Sequence, residues 1–230
     1  MHCEIRYGVI IVKFDKMLTL YTNCVGNFYY YNPKMTADYC NYPVQVHVCT
    51  PEELASKDIK AMKGMGKFPF LATEDGTIIR ESVAISQYIA RKAQQMAFVG
   101  LNAFEEAQVE QWTSLAMGVL APNVKVVEDH MWGWKVNPTG CKESENTLKG
   151  FMKQLNTSLD GKSWLVGERM TLADIVVFNN LITAFYFTFD AGFLKAMPHA
   201  AAWFGKMAKL PIVARTAGYF KIQGGAPAKP

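Results

Sequence analysis

At 230 residues, 50% of them hydrophobic and 19% charged, the chain has length and apolar content for one or two domains with a substantial core, which excludes disorder over most of its length. Its 24 Lys and Arg against 20 Asp and Glu, a net +4, divide evenly, 11 against 9 in residues 1–98 and 13 against 11 beyond. Neither half offers a basic footprint for phosphates, so direct nucleic-acid binding is not expected.

Residues 1–16 read as an N-terminal extension that precedes the first credible strand. Their apolar run, residues 8–12, is only five residues long and gives way at once to Lys13, Asp15 and Lys16. That is too short for a secretory core. Residues 17–22 (MLTLYT) suit a short buried strand, and the turn-prone residues 23–27 lead into a segment that can be helical to about Asn41. Residues 44–48 (VQVHV) alternate, as in a strand with one solvated face. Thr50, Pro51 and Glu53 form a capping-box start to another helix. A hairpin follows, residues 68–71 and 77–80 around Glu74-Asp75-Gly76. Ser82 then caps a helix whose Ala84, Ile85, Tyr88 and Ile89 share a face.

From Asn102 onward the signals are helical. Asn102 and Glu105 mark a cap, and Trp112, Leu115, Ala116 and Val119 a stripe. Leu148, Phe151, Met152, Leu155 and Leu159 form a second amphipathic face, stopped by Gly161. The run 172–189 has the length of a membrane span but contains Asp174, Asn179 and Asn180, so a buried core helix is expected and no membrane association. Pro198 opens a further helix. The order is an α/β domain over residues 17–97, an all-helical domain over 98–222, and a tail, 223–230, of linker composition. A chain ending in a linker reads as part of something longer.

The five cysteines contain no C-x-x-C pair and the four histidines no H-E-x-x-H pair. Neither a disulfide framework nor a protein-bound metal is expected, and the plain reading is a reduced cytoplasmic protein with no cofactor. Abundant Trp and Met after residue 110 read first as helical core. Exposed members, Met131, Trp132 and Trp134 above all, would instead suit a partner surface.

Two clusters stand out, and the first, made of two segments, can carry a site. In Gly66-Lys67-Phe68-Pro69-Phe70, a cis bond before Pro69 would turn the Phe68 backbone toward a peptide-like ligand. In Arg80-Glu81-Ser82-Val83-Ala84-Ile85, the helix start and the Ser82 hydroxyl can hold a carboxylate, with Glu81 meeting an ammonium group. The plainer alternative makes Pro69 an ordinary turn and Ser82 only a cap. The second cluster, residues 163–175, has a structural explanation. Thr171 and Asp174 form a capping pair with Met170 and Ile175 as a staple, and Asp174→Ala is expected to cost about 0.5–2 kcal/mol.

Together the strand opening, G-K-F-P, R-E-S-x-A-I and W-L-V-G-E-R-x-T-L-A-D resemble the cytosolic glutathione-transferase fold, a thioredoxin-like α/β domain followed by an all-α domain. L-V-G-E-R-M-T-L-A-D-I with G-K-F-P-F and E-S-V-A-I is similar to the N-terminal domain of the gamma subunits of translation elongation factor 1. The resemblance spans about residues 17–220. It implies glutathione or a related thiol as ligand, bound by Phe68, Pro69, Glu81 and Ser82, with Lys67 either adding charge at the glycine carboxylate or standing as a solvated surface lysine. It also implies a scaffold anchoring the nucleotide-exchange subunit, with a homodimer as one state, or else an active transferase conjugating electrophiles. The family's catalytic position falls in residues 23–31, which match no standard Tyr, Ser or Cys pattern. Cys24 is the best-placed nucleophile or thiolate stabiliser, with the Asn23 amide as a donor and Tyr29 or Tyr30 within reach. The alternative is an inert small residue packed under the helix.

Overall fold

In the computed structural model, residues 3–6, 9–12 and 17–218 are described. The expected linker at 223–230 lies outside them. The chain opens with β1 (Cys3–Arg6) antiparallel to β2 (Val9–Val12), Cys3 opposite Val12 and Arg6 opposite Val9. This corrects the expectation that no strand precedes Met17. Val9-Ile10-Ile11-Val12 is β-branched throughout, and such residues favour an extended ladder even in a run too short for export.

The chain divides between Ala93 and Gln94 into two compact units. In the first, β3 (Leu18–Thr22), α1 (Phe28–Tyr39), β4 (Val44–Val48), α2 (Pro51–Ala55), α3 (Lys57–Lys63), β5 (Phe70–Ala72), β6 (Ile78–Arg80) and α4 (Ser82–Lys92) follow one another. The sheet order is β4-β3-β5-β6. β3 and β4 run parallel, whereas β5 is antiparallel to both β3 and β6. The central strands are apolar on both faces because both are covered. Leu18, Leu20 and Leu71 pack with Tyr30 and Ala37 of α1 and Ile85 and Ile89 of α4. Tyr21, Phe70 and Ala72 pack on the opposite face with Cys49 and Ile59. Ala84 is exposed rather than part of the α4 stripe, so the apolar face of that helix is narrower than its sequence suggested.

The β5–β6 turn is held by Asp75, whose Oδ1 accepts from the Thr73 hydroxyl and, at 3.0 Å, from the Thr77 N–H. These donors hold its carboxyl down at about 2. A folded-state value below the ordinary ~3.9 contributes stability that is present above about pH 4 and lost as the pH falls toward about 2. Asp75→Asn is expected to flatten the acid limb of the melting-temperature profile across that window. An unchanged acid slope would refute this role.

The second unit contains α5 (Met96–Val99), α6 (Ala103–Leu115), a π turn (Ala116–Leu120), α7 (Ala121–Met131), α8 (Pro138–Ser158), α9 (Leu172–Phe187), α10 (Ala191–Lys195), α11 (Pro198–Ala208) and α12 (Pro211–Ala217). Asn102 caps α6, accepting from the Phe104 and Glu105 N–H groups at 3.0 Å. Glu105 pairs with Arg169, whose Nε donates to the Ala97 carbonyl at 2.9 Å. Helix α9 is buried along most of its length. Asn180 lies within that core, its Nδ2 donating to the Val176 carbonyl at 2.8 Å. Among the described residues no helix is long and apolar enough to cross a membrane. Trp112 and Met152 are core residues, whereas Met131, Trp132 and Trp134 are exposed.

Candidate functional site

Strand register gathers the first cluster at one end of the sheet. Tyr21 pairs with Phe70, and Phe70 with Arg80. The residues after Tyr21, before Phe70 and after Arg80 therefore emerge at the same edge. They are the loop that carries Cys24, the Phe68-Pro69 pair, and Glu81-Ser82.

The Phe68–Pro69 bond is cis. Pro69 is buried, Phe68 half-buried and Lys67 exposed. The loop ahead of this pair is clamped by Arg80, whose Nε donates to the Lys63 carbonyl at 2.9 Å and Nη2 to the Met62 carbonyl at 2.6 Å. Gly64 has φ 58°, and a Cβ there would stand 3.2 Å from Arg80 Nε. A glycine thus suits both its conformation and the close approach of the guanidinium. This clamp was not foreseen, although Arg80 belongs to the cluster already singled out.

Glu81 is exposed and adopts φ 70°, a positive-φ conformation that costs a non-glycine residue about 1–3 kcal/mol. It occupies the N-cap of α4 without a side-chain cap bond. Ser82 is therefore not the cap. It is the first helical residue, 3% exposed, and its Oγ accepts from Asn32 Nδ2 at 3.4 Å. The Ser82 carbonyl accepts from Ser86 Oγ at 2.8 Å. Asn32, fully buried on α1, was missed by sequence reasoning. The available signal was a polar amide inside a helix whose neighbours Tyr30 and Met35 are core residues.

Cys24 is exposed, which corrects the alternative of a residue packed under the helix. The donor at its sulfur is the Gly26 N–H at 3.3 Å, while Asn23, the donor expected there, is exposed. The Thr22 hydroxyl fixes the Cys24 backbone, donating to its carbonyl at 2.7 Å and accepting from its N–H at 3.2 Å. Asn27 caps α1, accepting from the Tyr30 N–H at 2.9 Å, so Cys24 lies ahead of the helix rather than in its first turn. Tyr30 is built into the core, and the Tyr29 ring packs 4.2 Å from that of Phe28. Burial, followed by Cys24, pushes the Tyr31 hydroxyl up from its ordinary value.

The other cluster is a buried polar hub. Asp174 is 0% exposed. Its Oδ2 accepts from the Thr171 N–H at 2.9 Å and the Thr171 hydroxyl at 3.1 Å. Its Oδ1 accepts from the Leu165 N–H at 3.0 Å and Trp203 Nε1 at 2.9 Å. Met170 and Ile175, the expected staple, are both buried.

Residues 23–97 match the glutathione S-transferase N-terminal domain, and residues 139–211 the C-terminal domain. The glutathione S-transferase-like protein LUC7 of Fusarium sp is 31% identical over 153 residues, which cover 64% of this chain and 68% of that protein. The chain belongs to the glutathione S-transferase family. The N-terminal match of this glutathione S-transferase-like chain spans Cys24, Phe68, Pro69, Glu81 and Ser82, and the C-terminal match spans Thr171 and Asp174. A probable elongation factor 1-gamma of Arabidopsis thaliana is 31% identical over 176 residues, covering 76% of this chain. The chain spans 42% of that relative's length. Among solved structures, the GST-like domain of elongation factor 1-gamma from Saccharomyces cerevisiae superposes with a TM-score of 0.78 at 19% identity, covering 94% of this chain and all of that one. A glutathione transferase of Phanerochaete chrysosporium, solved with oxidized glutathione, gives 0.76 at 22% identity over 88% of this chain and 94% of its own. The glutathione-transferase fold, a small mixed sheet with helices followed by a helical unit, is common to this chain and these two structures.

Proposed function

We propose that this chain is a glutathione-transferase-like scaffold module of the translation elongation factor 1 complex, anchoring the nucleotide-exchange subunit, and that it keeps a glutathione site at Phe68, Pro69, Glu81 and Ser82. The similarity to elongation factor 1-gamma carries the scaffold reading. A surface of suitable chemistry supports it: Met131, Trp132, Trp134 and Val136 lie exposed around the connection from α7 to α8. Trp132 meets the Phe187 ring edge-on at 5.5 Å, and Lys125 lies over Trp134 at 5.1 Å. Aromatic and Met side chains left in water are enriched at protein interfaces. Native purification of the tagged chain from its own cells is expected to bring down the exchange subunit. Replacing both Trp132 and Trp134 by Ala should lower that recovery at least tenfold. Recovery of no exchange subunit with the wild type would sink the scaffold reading.

A second reading, an active glutathione transferase, is favoured by the exposed Cys24 sulfur with its Gly26 N–H donor. The γ-glutamyl end of glutathione would lie at Glu81-Ser82 and its cysteinyl backbone against Phe68, which brings its thiol to the edge that carries Cys24. Conjugation of a chlorodinitrobenzene substrate, with kcat lowered at least tenfold by Cys24→Ser, is the expected result of that reading. No turnover by the wild type excludes it.

A further inference from the structure

A group of side chains outside the glutathione-type site remains without a role. His47 lies on edge strand β4, Cys49 two residues on, and Glu53 in α2. A His47 ring nitrogen, the Cys49 Sγ and a Glu53 carboxylate oxygen all lie within 4.8 Å of one another. We propose that His47, Cys49 and Glu53 form a zinc site that fastens the edge strand β4 to α2.

The ligands are positioned by contacts that do not require the metal. Thr50 is the N-cap of α2 and its N–H donates to Glu53 Oε2 at 2.8 Å, so the capping box aims the carboxylate at the strand. His47 Nε2 lies 3.0 Å from both Glu53 oxygens. Its ring is flanked by Tyr21, the paired residue on β3, with ring centroids 4.9 Å apart. The Cys49 N–H donates to the Thr22 carbonyl at 2.8 Å. Backbone and ring contacts of this kind orient metal ligands and support their affinity.

The chemistry of the set selects the metal. Thiolate, imidazole and one carboxylate suit zinc, whereas magnesium and calcium take oxygen ligands. The thiolate and carboxylate together neutralise a divalent charge. Zinc bonds of about 2.0–2.3 Å at tetrahedral angles separate ligand atoms by about 3.3–3.6 Å, so the three need shift by little more than an ångström. The His47 and Glu53 side chains are 22% and 35% exposed, which leaves the fourth position to water. On binding, the Cys49 S–H bond breaks as the sulfur–zinc bond forms, and the proton passes to solvent. His47 enters neutral, its ring proton on Nδ1, and Glu53 enters as a carboxylate. No electron is transferred. The sequence had concealed the site because His47-x-Cys49-x3-Glu53 has no established metal spacing and only the strand-to-helix turn brings the three together.

Cobalt titration of the reduced, chelator-treated chain tests this. One equivalent should produce the sulfur-to-cobalt charge-transfer band and the visible bands of a tetrahedral ion, and zinc should displace it. Cys49→Ser should abolish the charge-transfer band, and Cys24→Ser should leave it intact. Because Cys49 is buried and its replacement can unfold the sheet, His47→Gln and Glu53→Gln, both at half-buried positions, provide the second arm. Each should weaken zinc at least tenfold in competition with a chromophoric chelator while the far-ultraviolet circular dichroism stays that of the wild type. No band in the wild type, a band that survives Cys49→Ser, or unchanged zinc affinity in both Gln variants would overturn the site.

Discussion

Asp174→Ala is expected to destabilise the chain by about 3–5 kcal/mol, read as a shift in the urea midpoint. The two-residue cap alone predicts about 0.5–2 kcal/mol. The larger figure follows from the number of donors that converge on one carboxylate with no exposure to water. The Leu165 and Thr171 N–H groups, the Thr171 hydroxyl and the Trp203 indole all donate to it. Alanine would strand three N–H groups in a buried pocket, each at about 1–3 kcal/mol less whatever water enters the cavity. Burial pushes the carboxyl up from its ordinary value, while these donors pull it back. Thr171→Ala removes one hydroxyl and should remain within the cap range of about 0.5–2 kcal/mol. Asp174→Asn keeps one oxygen acceptor but turns an NH2 toward donors, so it should fall between the two. A loss below about 2 kcal/mol for Asp174→Ala would show that the hub adds nothing to the cap.

What separates the legible from the hidden in this chain is the range over which each interaction is encoded. Local chemistry was readable. Thr50 and Glu53 form their capping box, Asp75 holds its turn, and Leu148, Met152 and Leu155 are buried at the helical spacing that announced them. The glutathione-transferase fold, inferred from G-K-F-P, E-S-V-A-I and the L-A-D segment, is the fold observed. Partners distant in the chain were not readable. Asp174 showed its cap with Thr171, three residues away, but not its bond to Trp203, 29 residues on. Ser82 looked like a cap because a serine before an apolar stripe usually is one. Its actual partner, Asn32, lies 50 residues away on another helix. The backbone of Glu81 was equally hidden, since nothing local favours a positive φ for glutamate and only the surrounding fold can impose it.

Ser82→Ala is expected to lower glutathione affinity at least tenfold, read as at least a halving of the rise in melting temperature that a saturating glutathione concentration produces in the wild type. The physical case begins with the start of α4. Its first-turn N–H groups carry the positive end of the helix dipole, and Glu81 supplies them with no side-chain acceptor. A ligand carboxylate placed there gains those donors together with the Ser82 hydroxyl. A hydrogen bond to a charged group contributes about 1.5–3 kcal/mol, which is tenfold or more in affinity. The cost of the substitution to the fold should be modest, because Asn32 reaches Ser82 at only 3.4 Å, the long end of hydrogen bonding. Ligand at 100 times the wild-type dissociation constant adds about 2.7 kcal/mol to stability, and the same concentration adds about 1.4 kcal/mol to a variant that binds tenfold more weakly, so the variant's shift should be about half the wild type's or less. The register that sets Ser82 beside Pro69 makes the same prediction for a second probe. Glutathione disulfide should stabilise the wild type more than Ser82→Ala, whereas Cys24→Ser should retain both shifts, because the proposed γ-glutamyl contacts lie on α4 and not at the sulfur. Equal shifts in wild type and Ser82→Ala would remove Ser82 from the site, and no shift with either ligand would remove the glutathione site itself.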